Sequence, residues 1–278
     1  MELSFIRLFI VLARMETAMM GNPIREKAVR MPSDSRWLNT FADLRKMLFG
    51  TRTRAIFAVW MLLIMLLLGR NVLFSGASDQ VVAISVFFCA GSTVVVWTYR
   101  DLIVGLMRKW KASPRTKFII IGSLGAAWAE YVFWQFEKAF GITGVAASPN
   151  LGIDWLVTMP WYCMMVALLW RAQTAHRYTV MELFVLGGVY ELGADGIVGT
   201  LMDGTFGLST IPFLICLIPM FSLVYSVMVI PCSVIVNEEM EQIRNARPAA
   251  KGNRYLHAGL PLLGLIPYFV LTALMVLS

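Results

Sequence analysis

From Gly207 to Val236 the chain carries no charged side chain, and uncharged apolar runs of similar kind recur along most of its length. A helix needs about 20 residues to cross roughly 30 Å of hydrocarbon. Cutting the chain where charges interrupt leaves seven segments of that order, near residues 53–74, 81–99, 118–136, 152–170, 179–200, 207–235 and 257–277. A closed β-barrel would instead show segments of about ten residues alternating apolar and polar, which these runs do not. With 58% hydrophobic and 15% charged residues, a soluble domain would have nowhere to bury its apolar surface. The expected fold is therefore all-α, a polytopic transmembrane helix bundle of about seven spans.

Two segments are irregular. The first has a short uncharged core from Ala55 to Gly69, so Arg70 is expected to snorkel to the surface. The sixth is over-long and carries Pro212, Pro219 and Pro231, which predicts a kink or an interruption. A re-entrant loop there would change the count to six or eight.

Basic residues give the orientation, because Lys and Arg stay on the cytoplasmic side of short loops. Ten fall in residues 1–54, six in 100–117, two in 171–178 and four in 236–256, leaving only Arg70 and Lys138 for the other face. This predicts a cytoplasmic N-terminus and an extracytoplasmic C-terminus. The formal charge of +7 then reflects topology and attraction to anionic membrane lipid. No nucleic-acid partner is expected, since the charges are spread through loops rather than gathered on one face.

Residues 1–52 form a cytoplasmic or interfacial segment, and 53–278 the seven-helix domain. Within the segment, Trp37, Phe41, Leu44 and Leu48 recur at helical spacing, with Ser33 or Asp34 to cap the start and Gly50 the end. This is an amphipathic helix lying on the membrane surface. The apolar stretch from Phe5 to Leu12 is broken by Arg7, too short to span, and not expected to be a signal peptide.

Cys89, Cys163, Cys216 and Cys232 all fall within predicted spans without metal-ligand spacing, and read as buried thiols. His176 and His257 lie at cytoplasmic ends of spans, which argues against haem ligation or a proton relay within the bilayer. No cofactor and no metal are expected.

Acids inside spans are the informative residues, because an ionisable group there is costly. Glu130 and Glu191 each lie about 18 Å from the cytoplasmic edge, counting 1.5 Å per residue along their helices. Asp195, one turn beyond Glu191, shares its face; Asp154 enters from the outer end of the fourth span, and Glu137 stands two turns beyond Glu130. Glu130, Glu191, Asp195 and Asp154 are the candidate catalytic groups, expected to share one cavity. Glu182, nearer the cytoplasmic edge, is expected to pair with Arg171 or Arg177. Aromatic residues gather at the same depth, and of these Trp128, Tyr131, Trp161 and Tyr190 are the candidate substrate-binding groups. Gly193 and Gly196 beside Asp195 would permit a local opening of the fifth span.

A carboxyl among apolar groups keeps its proton at neutral pH more readily than one in water, which prepares it for proton donation. Given an isoprenoid dissolved in the bilayer, such an acid would protonate an alkene or epoxide while aromatic faces stabilise the developing cation. The run Gly125-Ala126-Ala127-Trp128-Ala129-Glu130 faintly resembles, over those few residues, two families with such chemistry, the membrane-integral terpene cyclases and the carotenoid hydratases. The Asn preceding a Trp-Glu pair in the cyclases is missing, and Ala129 separates Trp128 from Glu130, so membership does not follow. The first reading is an acid–base enzyme acting on an isoprenoid or other lipid-soluble substrate. A proton- or cation-coupled transporter or channel is the alternative, and an accessory or scaffold subunit the third. Substrate and oligomeric state are not legible.

Overall fold

The computed structural model describes residues 33–198, 200, 204, 207–208, 210–246 and 252–266. The expectations for Phe5–Leu12, for the Asp195 and Cys216 side chains, and for most of the seventh span lie outside the described residues. Among those described, all regular structure is helical: α1 Ser33–Phe49, α2 Arg52–Phe74, α3 Ala77–Thr98, α4 Arg100–Met107, α5 Pro114–Phe140, α6 Leu151–Ala175, α7 Val180–Glu191, α8 Ile211–Ile235, α9 Asn237–Asn245 and α10 Arg254–Gly259. A π-helical stretch, Leu192–Val198, prolongs α7, and a 3₁₀ stretch, Leu260–Gly264, prolongs α10.

Four of the helices, α2, α3, α6 and α8, are long and apolar enough to cross a membrane, as in an integral membrane protein. Their exposed surface has the character lipid requires. Ile56, Val59, Leu62, Leu63, Leu66 and Leu67 on α2 all face outward, more than half exposed. Water would not tolerate that face, whereas hydrocarbon does.

The central element is α8, packed against α7, α5 and α3. It runs unbroken from Ile211 to Ile235 despite its prolines, so the expected interruption is absent. Pro212 lies in the first turn, where the missing N–H has no helical partner to lose. Pro231 offers no N–H to the carbonyl of Val227 four residues earlier. That carbonyl is the atom a Cβ on Gly125 of α5 would strike, with Met228 Cα only 2.8 Å away. Backbone therefore meets backbone at this crossing, and only glycine fits. Buried hydroxyls add interhelical bonds where no water competes: Ser226 with Thr93 of α3 at 2.7 Å, and Ser233 with Gln173 of α6 at 2.7 Å.

The amphipathic α1 packs through Thr40, whose hydroxyl donates to Thr98 at 3.1 Å, and through Asp43, 3.0 Å from Arg100. Its Leu38 and Phe41 remain exposed. Phe41, expected on the same face as Trp37, is thus turned outward, because Thr40 and Asp43 take the inner face.

Beyond the C-terminus of α6, α10 folds back onto the loop that precedes α7. Glu182 forms a capping box with Thr179 and pairs with Arg254 at 2.8 Å, rather than with Arg171 or Arg177. His176 Nε2 and His257 Nδ1 approach to 3.1 Å, so one hydrogen lies between two facing nitrogens. Burial, His257 and Arg254 together hold the His176 imidazole below its ordinary value. A base lowered in the folded state contributes stability that is complete above its unfolded value, near 6.5, and declines as pH falls below it. The melting temperature of the wild type is therefore expected to fall between pH 7 and pH 5.5 more steeply than that of His257→Gln. Parallel slopes for the two proteins would count against a role for the pair.

Candidate functional site

Between α3, α5, α6 and α8, with the π-helical stretch on one side, lies a cavity of about 340 Å³. Its walls are largely aromatic and aliphatic, including Phe133, Trp161, Phe221 and Val224. Glu130 is the one acidic residue among the described walls. Its side chain reaches the cavity because α5 presents position 130 on the face that also carries Phe133, the three-residue step of a helix.

Two tyrosines order the carboxyl. Tyr162 Oη donates to Glu130 Oε1 at 2.7 Å, and lies 2.9 Å from Tyr225 Oη. Because each phenol has one hydrogen, the donation from Tyr162 to Glu130 requires that Tyr225 donate to Tyr162. Tyr225, Tyr162 and Glu130 thus form a chain of hydrogen bonds aimed one way, from α8 through α6 to α5.

Asp154, fully buried, completes the arrangement from the start of α6. One of its oxygens, Oδ1, accepts the backbone N–H of Ser148 at 3.1 Å. The other, Oδ2, is buried, and the acids that act on this carboxyl are Glu137 and Glu130.

The segment 141–150 covers this region and is tied down by acids on both neighbouring helices. Glu137, 1% exposed, accepts the N–H of Ala146 at 2.8 Å, while Asp154 holds Ser148. The segment leaves α5 through Gly141, whose φ of +67° is the left-handed helix end that glycine favours. It enters α6 through Asn150, whose Oδ1 accepts from the N–H groups of Gly152 and Ile153. Ala146 and Ala147 thereby become cavity wall.

Of the candidates read from sequence, Glu130 and Trp161 line this cavity, and Asp154 is buried one turn before its wall residue Thr158. The others lie elsewhere among the described residues. Trp128 donates to Ser92 at 3.0 Å, and its ring meets Phe88 and Tyr131. Tyr131 hydrogen-bonds to Gln135 on its own helix. Tyr190 donates to the carbonyl of Ala258 at 2.8 Å. Glu191 is buried where α7 passes into the π-helical stretch and does not line the cavity; Ala194, one turn on, does. The stretch that carries Gly193 and Gly196 is π-helical, a distortion often found beside functional sites. Tyr225 was not among the candidates, because nothing ionisable stands near it in the sequence.

No protein family, curated protein or solved structure matches this chain.

Proposed function

We propose that the chain is a seven-span membrane enzyme, N-terminus cytoplasmic, in which Glu130 acts as general acid on a lipid-soluble substrate, of isoprenoid type, held in the aromatic cavity. The observation that carries this reading is the directed chain from Tyr225 through Tyr162 to Glu130, ending beside Asp154. Glu130 would deliver the hydrogen to an alkene carbon or an epoxide oxygen, Tyr162, donating at 2.7 Å, would hold the resulting carboxylate in place, and the proton lost on cyclisation, or from the water added on hydration, would return to it. Trp161, Phe133 and Phe221 present ring faces or edges to the same space, where the faces would stabilise positive charge developing on the substrate. The reaction type is cyclisation or hydration.

A second feature favours an enzyme over a transporter. Along α6 and α8, below the cavity, Met165, Val166, Leu169, Met228 and Val229 are buried and close the bundle with apolar packing. Ion passage would need that layer to part. The two readings separate in paired assays on one preparation, in which purified protein is offered extracted membrane isoprenoids and is also reconstituted into vesicles carrying pH- and metal-sensitive dyes. Lipid conversion with silent vesicles is expected. An ion flux that depends on Glu130, without any lipid product, would refute the enzyme.

A further inference from the structure

At the other end of α6 lies a second cavity, of about 350 Å³, bounded by the last turns of α6 and α8, the start of α7, and α9. Three charged residues line it, Arg177, Arg244 and Glu241. One carboxylate oxygen serves both cations: Glu241 Oε1 is 3.2 Å from Arg177 Nη2 and 3.7 Å from Arg244 Nη2. The lining therefore carries one positive charge in excess.

Arg244 is not an ordinary solvated arginine. Its side chain is 12% exposed, and Nη1 donates to the carbonyl of Gln173 at 2.7 Å, which fixes the guanidinium. Its Nε is buried and meets no acceptor. A second wall residue, Trp97, has the same condition at its indole Nε1. Buried donors without acceptors are costly, and a cavity walled by a fixed guanidinium and carrying one surplus positive charge favours an anion. Guanidinium groups arriving from α9 and from the loop between α6 and α7 suit a tetrahedral oxyanion, whose oxygens point in several directions, better than a planar carboxylate. The rest of the wall mixes apolar residues, Val180, Leu183 and Val234, with polar ones, Gln173, Thr179, Ser233 and Asn237.

We propose that this cavity binds a phosphate oxyanion between Arg244 and Arg177, either on the head group of an acidic lipid or as free phosphate. The site is separate from the acidic cavity, and its test does not depend on the activity proposed above. Full-length protein in neutral detergent is titrated with phosphatidic acid, with phosphatidylcholine, or with inorganic phosphate, and binding is read by native mass spectrometry and by thermal unfolding. Phosphatidic acid is expected to remain bound and raise the melting temperature, and phosphatidylcholine to do neither. Equal protection by inorganic phosphate identifies the free ion as sufficient; protection by the lipid alone identifies the head group.

Arg244→Gln is expected to weaken binding about tenfold. Because that change also loses the bond to Gln173, Glu241→Gln supplies the opposite sign: removing the competing carboxylate should tighten binding several-fold. Arg108→Gln, whose partner Glu238 lies outside the cavity, serves as a control and should change nothing. Indifference of binding to Glu241→Gln and Arg244→Gln, equal affinity for the two lipids, or no binding in any arm would overturn the proposal.

Discussion

Glu130→Gln is expected to lower turnover of the lipid-soluble substrate by about 10² or more while leaving its binding within a few-fold. The amide keeps the length of the side chain and an oxygen to accept from Tyr162, so the cavity retains its shape. What disappears is a group that can lose and regain a proton. Asp154→Asn should cost less, since its Oδ1 can still accept from Ser148 and keep the covering segment in place. Tyr162→Phe breaks the chain on both sides and leaves Glu130 without its 2.7 Å donor, so it should move the pH dependence of turnover as well as its rate. A Glu130→Gln protein with wild-type turnover would end the general-acid assignment. Substrate binding measured in parallel separates that result from a merely empty cavity.

Gly125→Leu is expected to abolish folding altogether. A side chain there has no direction in which to move, because it would meet the backbone of α8 at Val227 and Met228 rather than the tip of a flexible group. Overpacking a tight core typically costs about 1–3 kcal/mol even when neighbours can yield, and here they cannot. Gly91→Ala makes the contrast. No atom lies within 4 Å of where that Cβ would stand, so the change should be neutral or stabilise α3 by about 0.5–1 kcal/mol through helix propensity. Size-exclusion profiles and melting curves in detergent decide both. A well-behaved, wild-type-like Gly125→Leu protein would mean that α5 and α8 do not cross this closely.

The helices were legible where hydrophobicity alone fixes them. The apolar runs of α2, α3, α6 and α8 carry few charges because hydrocarbon or core surrounds them, and their limits in sequence and structure agree to within a turn or so. Glu130 and Asp154 were legible for the complementary reason, as charges in a setting that excludes charge. Depth, however, is not direction. Trp128, Tyr131 and Tyr190 stand near the level of Glu130 along their helices, yet each turns to a different neighbour, and the rotation of one helix against the next is set by contacts such as that between Gly125 and Val227. Tyr225 lay hidden for the same reason, in a run with no polar signal of its own. The pairings of Glu182 with Arg254 and of His176 with His257 depend on how α10 folds back, which nothing local encodes. The cavity around Arg244 draws on α3, α6, α7, α8 and α9, and no single segment announces it.

The fastening of the 141–150 segment by Glu137 and Asp154 bears on the order in which the protein is made. Glu130, its partner Asp154, the covering segment and both of its ties all lie within the contiguous stretch from α5 to α6, two helices joined by a short connection. A chain synthesised from its N-terminus therefore holds every piece of the acid pair and its cover before α8 emerges from the ribosome. Contacts of short sequence separation close with little loss of loop entropy, so this hairpin can assemble on its own. The arrival of α8 then adds Tyr225 and its share of the cavity wall, making the hydrogen-bonded chain to Glu130 the last part to be completed.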